Sequence, residues 1–131
     1  MDDLLESYSN PRYLKLHLHD INELDDKARA MGFKVYFLAF PFLNNQDLFD
    51  RSAKYIAILK VNFVKTCKSG DVFFDFSPLV TSVGLNNSVV NAMDPHPSAK
   101  LHKEVSKYLS SVILSDHSFK PLSDVITYCK R

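Results

Sequence analysis

The sequence predicts an α/β domain built on a parallel sheet, and three observations carry that expectation. Two short apolar runs, Val35 to Phe40 and Val72 to Phe76, read as strands without regular polar alternation. A strand covered on both faces has that pattern. Longer stretches around them repeat apolar residues at steps of three and four, the period of an amphipathic helix. The resulting order is helix, strand, helix, strand, helix, the alternation of parallel α/β folds.

The elements follow from local chemistry. Residues 1–11 are polar and form a lead-in or a short helix. Leu14, Leu18, Ile21, Leu24, Ala28 and Met31 mark one face of the first helix. Asn10 and Pro11 suit its N-cap and first position, and Gly32 stops it. The first strand ends at Pro41, which cannot donate to a ladder. An Asn- and Gln-rich loop over 42–47 leads to a second helix, from about Asp47 to Lys68. Its apolar stripe is Leu48, Tyr55, Ile56, Leu59, Phe63 and Cys67. Ser69-Gly70-Asp71 breaks it, and the second strand closes at Ser77-Pro78. Residues 79–93 are irregular or hold a short helix. Asp94-Pro95-His96-Pro97 reads as a turn, because two prolines bracket the histidine. The last strong helix starts near Ser98, with Leu101, Val105, Tyr108, Leu109 and Val112 on one face. The tail over 116–131 has a weaker helical pattern around Leu122, Val125 and Ile126.

Composition excludes several function classes. A chain of 131 residues has room for one domain with its own core. A net charge of +1 argues against electrostatic binding of nucleic acid. Arg51, Lys54, Lys65 and Lys68 form a basic helix face, read as solvated rather than as a phosphate site. No apolar run reaches membrane-spanning length. Met1 to Asn10 carries three acids and no base, the wrong charge for a signal peptide, so the expected compartment is the cytoplasm. Cys67 and Cys129 are accordingly expected as unpaired thiols in a reducing environment. No zinc-type ligand pairs occur, and His17 and His19, two apart on a helix, point to different faces. Both, with His117, are expected at the surface. The ten phenylalanines and six tyrosines read as core, with no aromatic platform for bases or sugars.

Only three glycines are present, so neither a Walker loop nor a dinucleotide fingerprint can be written, and no cofactor is implied. Gly-x-Ser-x-Gly is also absent. The remaining chemical signal is Asp94 with His96. Histidine is the usual general base, and a carboxylate can fix its tautomer. The segment follows the second strand, so it can reach the carboxyl edge of the sheet, where sites form.

Three segments together carry a family resemblance: KVYFLAFP at 34–41, DVFFDFSPL at 71–79 and DPHPSAKLH at 94–102. In this order they resemble the C-terminal half of the SGNH (GDSL-type) hydrolases, over about 80 of the 131 residues. The resemblance implies His96 as general base and Asp94 as its orienting acid. His102 matches a histidine common after the motif and is expected to pack or cap on the last helix. Ser98 stands where Asn is usual in the family, and Leu101 where Gly is frequent. The two-residue spacing leaves contact between Asp94 and the imidazole open. The family's nucleophilic Ser in a GDS-like motif, its oxyanion-hole Gly and its Gly-x-Asn-Asp motif cannot be placed here. The resemblance also implies a three-layer, flavodoxin-like sheet of five parallel strands in the order 2-1-3-4-5, of which this chain would hold the last two.

The expected organisation is a lead-in (1–11), the C-terminal part of an SGNH-like domain (12–115), and a tail or short helix (116–131). The chain is expected to be a fragment, a truncated reading frame, or one that pairs through the open edge of strand 35–40. Alone it should be nearly inert. Completed by a nucleophile, it would act on a small ester or acylated substrate. The alternative is a non-catalytic interaction module that binds a partner through that edge or through the basic 51–68 helix face, or pairs with itself through the edge. A receiver-like domain is a lesser alternative, with Asp75 as an isolated acid.

Overall fold

The computed structural model describes residue 6 and residues 10–130. The lead-in expected over 1–11 lies otherwise outside the described residues. The element order is α1 (Pro11–Ala30), β1 (Tyr36–Ala39), α2 (Gln46–Thr66), β2 (Val72–Asp75), α3 (Ser77–Val83), α4 (Leu85–Ser88), β3 (Val89–Asn91), β4 (Asp94–Pro97), α5 (Ala99–Ile113) and β5 (Ile126–Tyr128). The chain is a mixed α/β structure with a three-strand sheet in the order β1-β2-β5 and a separate β3-β4 hairpin.

The helix boundaries are set by local capping. Asn10 accepts from the Arg12 amide and Pro11 opens α1. Gly32, at φ +82°, ends that helix, with its amide bonded to the Arg29 carbonyl. Asn45 caps α2 through the Leu48 amide, and Ser98 caps α5 through the Leu101 amide.

β1 and β2 are parallel, with Tyr36 opposite Val72 and Ala39 opposite Asp75. β5 is antiparallel to β2, with Phe74 opposite Ile126. The tail therefore does not form the expected helix. Leu122, Val125 and Ile126 have helix-like spacing over only a few residues, and the bare edge of β2 decides the outcome by pairing. The sheet is consequently mixed rather than all parallel, an arrangement common where an antiparallel strand closes a parallel sheet.

β2 is the central strand and all four of its residues are buried. Val72 and Phe74 join Phe76, Leu79, Val80, Leu101, Val105, Tyr108 and Val125 in the larger apolar cluster. Phe73 instead meets Ile56, Phe63 and Cys67, with Phe37 and Ala39 of β1 beside them. The alternation of a strand thus serves two separate apolar clusters.

The cysteines overturn the expectation of free thiols. Cys67, just past α2, and Cys129, just past β5, form a disulfide with Cα atoms 5.8 Å apart. The unforeseen β5 pairing brings them together, and the Cys129 amide bonds the Asp71 carbonyl there. Beside the disulfide, Asp71 is 1% exposed and accepts from the Arg29 guanidinium and from the amides of Val35 and Lys68. One carboxylate thereby ties α1 and the approach to β1 to the end of α2.

His17 is half-buried rather than at the surface, because its Nδ1 meets the Tyr55 hydroxyl between α1 and α2. His19 and His117 are exposed as expected. No helix is long and apolar enough to cross a membrane among the described residues.

Candidate functional site

Asp94 and His96 lie on β4, not in an open turn. Val89 pairs with Pro97 and Asn91 with Asp94. The prolines that signalled a turn are tolerated because this two-stranded ladder is short and all edge. The Asn91 carboxamide oxygen accepts from the Met93 and Asp94 amides and shapes the connection. At the other end, Ser98 donates through its amide to Ser88 and through its hydroxyl to the Asn87 carbonyl. The hairpin is thus fixed to α4 on one side and runs into α5 on the other.

An extended strand places residues two apart on the same face. Asp94 Oδ1 accordingly lies 2.5 Å from His96 Nδ1 and also accepts from the His96 amide at 3.1 Å. The spacing left this contact open, and the strand conformation makes it. Bonding to the imidazole, and then to the His96 amide, holds the Asp94 carboxyl below the usual aspartate range. A carboxylate at Nδ1 favours the tautomer of the neutral imidazole that carries its proton there, which leaves Nε2 as the acceptor. That is the orientation a general base requires.

The pair is open to solvent: the His96 side chain is 83% exposed and the Asp94 side chain 43%. Among the described residues, Asp94 is the only side chain bonded to His96. The sequence-predicted base and acid are therefore brought together, with no Ser, Thr or Cys hydroxyl or thiol hydrogen-bonded to the imidazole. His102 is exposed on the first turn of α5.

Sequence reasoning missed a cleft beside this hairpin. It has a volume of about 590 Å³ and lies between the loop after β1, the α3–α4 corner and the hairpin residues Asn91 and Pro95. Its signal was the recurrence of Asn before and at the start of α2, in α4 and at the end of β3, which the fold gathers. A second cavity, of about 360 Å³, runs beside β1 between α1 and α2. Asp25 lines it at 6% exposure, with one carboxyl oxygen lacking a hydrogen-bond partner. Burial, and then the Asp71 charge, raises the Asp25 pKa above the usual aspartate value.

Other polar clusters are already committed. His19, Asp20 and Glu23 place ligand-type atoms within 4.8 Å of one another on the exposed face of α1. Glu23, however, is paired with Lys27 at 2.6 Å, which competes with a cation there. Asp75 is buried and accepts from the Ser77 amide, which leaves it poorly placed as a phosphate-accepting acid. On the basic face of α2, Arg51 lies 3.6 Å from Asp47 and Lys68 pairs with Asp26.

Comparison of the chain with protein-family profiles, curated proteins and solved structures yields no match.

Proposed function

We propose that this chain is the C-terminal part of an SGNH-type ester hydrolase, supplying the Asp-His portion of a Ser-His-Asp triad. The observation that carries the reading is the 2.5 Å contact between Asp94 and His96 on a hairpin that follows β2. The DPHPSAKLH resemblance gives that pair its role. In the completed enzyme, His96 Nε2 takes the proton of an incoming serine as its oxygen attacks the ester carbonyl. The ester C–O bond then breaks and the leaving alcohol takes that proton back. Water, deprotonated by His96, releases the acyl group as a carboxylic acid and restores the serine. Asp94 stabilises the imidazolium throughout.

The same reading accounts for the open flank. A flavodoxin-like three-layer sheet would continue past β1, whose only strand partner among the described residues is β2. Tyr36, Leu38 and Phe40 are 40%, 45% and 42% exposed there. The cavity beneath α1 offers room for side chains of an added strand. The disulfide favours an oxidising compartment for the whole protein over the cytoplasm.

The test is hydrolysis of 4-nitrophenyl acetate by the natural polypeptide or assembly that contains this chain. His96→Ala should lower kcat by about 10⁶-fold. Unchanged turnover would refute the assignment. The open β1 edge also favours a second reading, a binding module without catalysis. In that case His96→Ala leaves binding intact, and a charge at Leu38 removes it.

A further inference from the structure

We infer that Asn91 is the positioning residue of the Asp94–His96 pair. Its carboxamide oxygen fixes the backbone that carries Asp94, and so sets which imidazole nitrogen is left to act as base. The inference rests on the hydrolase reading and deepens it.

The hairpin has few other ways to hold its shape. Ala92 and Met93 alone join β3 to β4. Two-residue hairpin loops ordinarily use residues at positive φ, whose twist matches that of the strands. Neither Ala92 nor Met93 has a positive φ. Packing does not supply the hold either, since Met93 is 95% exposed and Ala92 is exposed beside it. The ladder is also irregular: Asn91 pairs with Asp94 and Val89 with Pro97, so β4 advances one residue more than β3 between the two pairs.

Along β4 the amides are scarce. Pro95 and Pro97 have no N–H to donate. The His96 amide donates to the Asp94 carboxylate at 3.1 Å. The Asp94 amide remains, and Asn91 Oδ1 accepts it at 3.0 Å, together with the Met93 amide at 2.8 Å. One side-chain atom thus closes the loop and pins the first residue of β4. That residue is the one whose carboxylate meets His96 Nδ1. Asn91→Ala returns both amides to water, so the loop can rotate and carry the carboxylate away from the imidazole.

The test reads the His96 ring directly, through the ¹⁵N chemical shifts of its two nitrogens in the 131-residue chain with the imidazole neutral. The unaltered chain should carry the proton mainly on Nδ1. Asn91→Ala should reduce the ratio of the Nδ1-protonated to the Nε2-protonated form about threefold. It should also move the Asp94 titration up toward the ordinary aspartate range, because the bond to His96 is what holds it down. Asn91→Asp keeps an acceptor oxygen at the same place and should restore the ratio, and Asn91→Ser, a weaker acceptor, should give an intermediate one. Asn45→Ala removes the N-cap bond of α2, a loss of similar kind outside the hairpin, and should leave the ratio unchanged. An unchanged ratio in Asn91→Ala and Asn91→Ser, or an equal shift in Asn45→Ala, overturns the inference. In the natural assembly, Asn91→Ala should lower kcat about tenfold with KM unchanged. The ring readout needs no serine. Hydrolysis that is absent, or indifferent to His96, therefore refutes the hydrolase reading and leaves the hold by Asn91 standing. An unchanged ring with His96-dependent hydrolysis refutes the hold alone.

Discussion

The two flanks of the sheet differ sharply. On one, β5 covers the edge of β2, the Cys67–Cys129 disulfide fastens it, and Val72, Phe73 and Phe74 are at most 4% exposed. On the other, β1 ends the sheet with Tyr36 and Leu38 at least 40% exposed. Asp25 is the only buried residue of α1, beside a cavity, while Leu24 is 60% exposed. The contrast teaches that burial is divided unevenly across the sheet. The β2/β5 flank has the covered, cross-linked organisation of an interior. The β1 flank is, among the described residues, an edge strand with exposed apolar side chains, which the proposed reading assigns to contact with further chain.

The contrast can be broken from either side. The largest stability effect should come from the closed flank. Cys129→Ser opens a covalent loop spanning 62 residues of sequence and should cost about 4 kcal/mol by chain entropy. A urea titration measures it, and a negligible change would show that the staple does not hold β5. Asp71→Ala comes next, at about 3 kcal/mol, because it leaves the Arg29 guanidinium and two backbone amides without their acceptor. A shifted denaturation midpoint with unchanged slope is the expected signature.

Leu38→Lys should change the stability of this chain by less than about 1 kcal/mol, because Leu38 is already 45% exposed. It should nevertheless abolish association through β1, as measured by sedimentation of the natural assembly. A large loss of stability in the isolated chain would mean that the edge is not open.

The smallest effect concerns Asp25. Its folded pKa is raised, so the neutral form is favoured in the fold. Its contribution to stability is present below the unfolded value of 3.8 and lost as pH rises through the raised folded value. Asp25→Asn should therefore be neutral or stabilising at pH 7, within about 1 kcal/mol. It should also remove part of the gain the parent shows on mild acidification. Denaturation at pH 7 and in the mildly acidic range checks both signs.

What was legible in the sequence was local. The cap at Asn10, the start of α5 near Ser98, the stop at Gly32, the positions of both strands, and the stripes of α2 and α5 depend on neighbours a few residues away. β2 is buried as expected, but β1, expected to be covered on both faces, is half exposed because no strand pairs its outer edge among the described residues. The first helix was legible in existence but less so in burial, since Leu24 and Met31 of its apolar face are exposed. β5 was not legible, because a three-residue strand has no period of its own and exists by pairing with β2. The disulfide followed the same loss. The prolines at 95 and 97 suggested a turn, yet they sit in a hairpin short enough to tolerate them. At the candidate site, the Asp94–His96 pair was readable as a motif, while its contact depended on strand geometry. The amide cleft was scattered over the start of α2, α4 and the end of β3, and only the fold assembles it.

The most direct test of the central claim is labelling by a fluorophosphonate, which reacts with an activated serine. The probe is applied to the natural polypeptide or assembly containing this chain, with and without His96→Ala. The account predicts a labelled serine in the unaltered protein and loss of that label with His96→Ala, while the fold remains intact. Absence of a labelled serine, or labelling that persists without His96, would contradict the assignment of Asp94 and His96 to a hydrolytic triad.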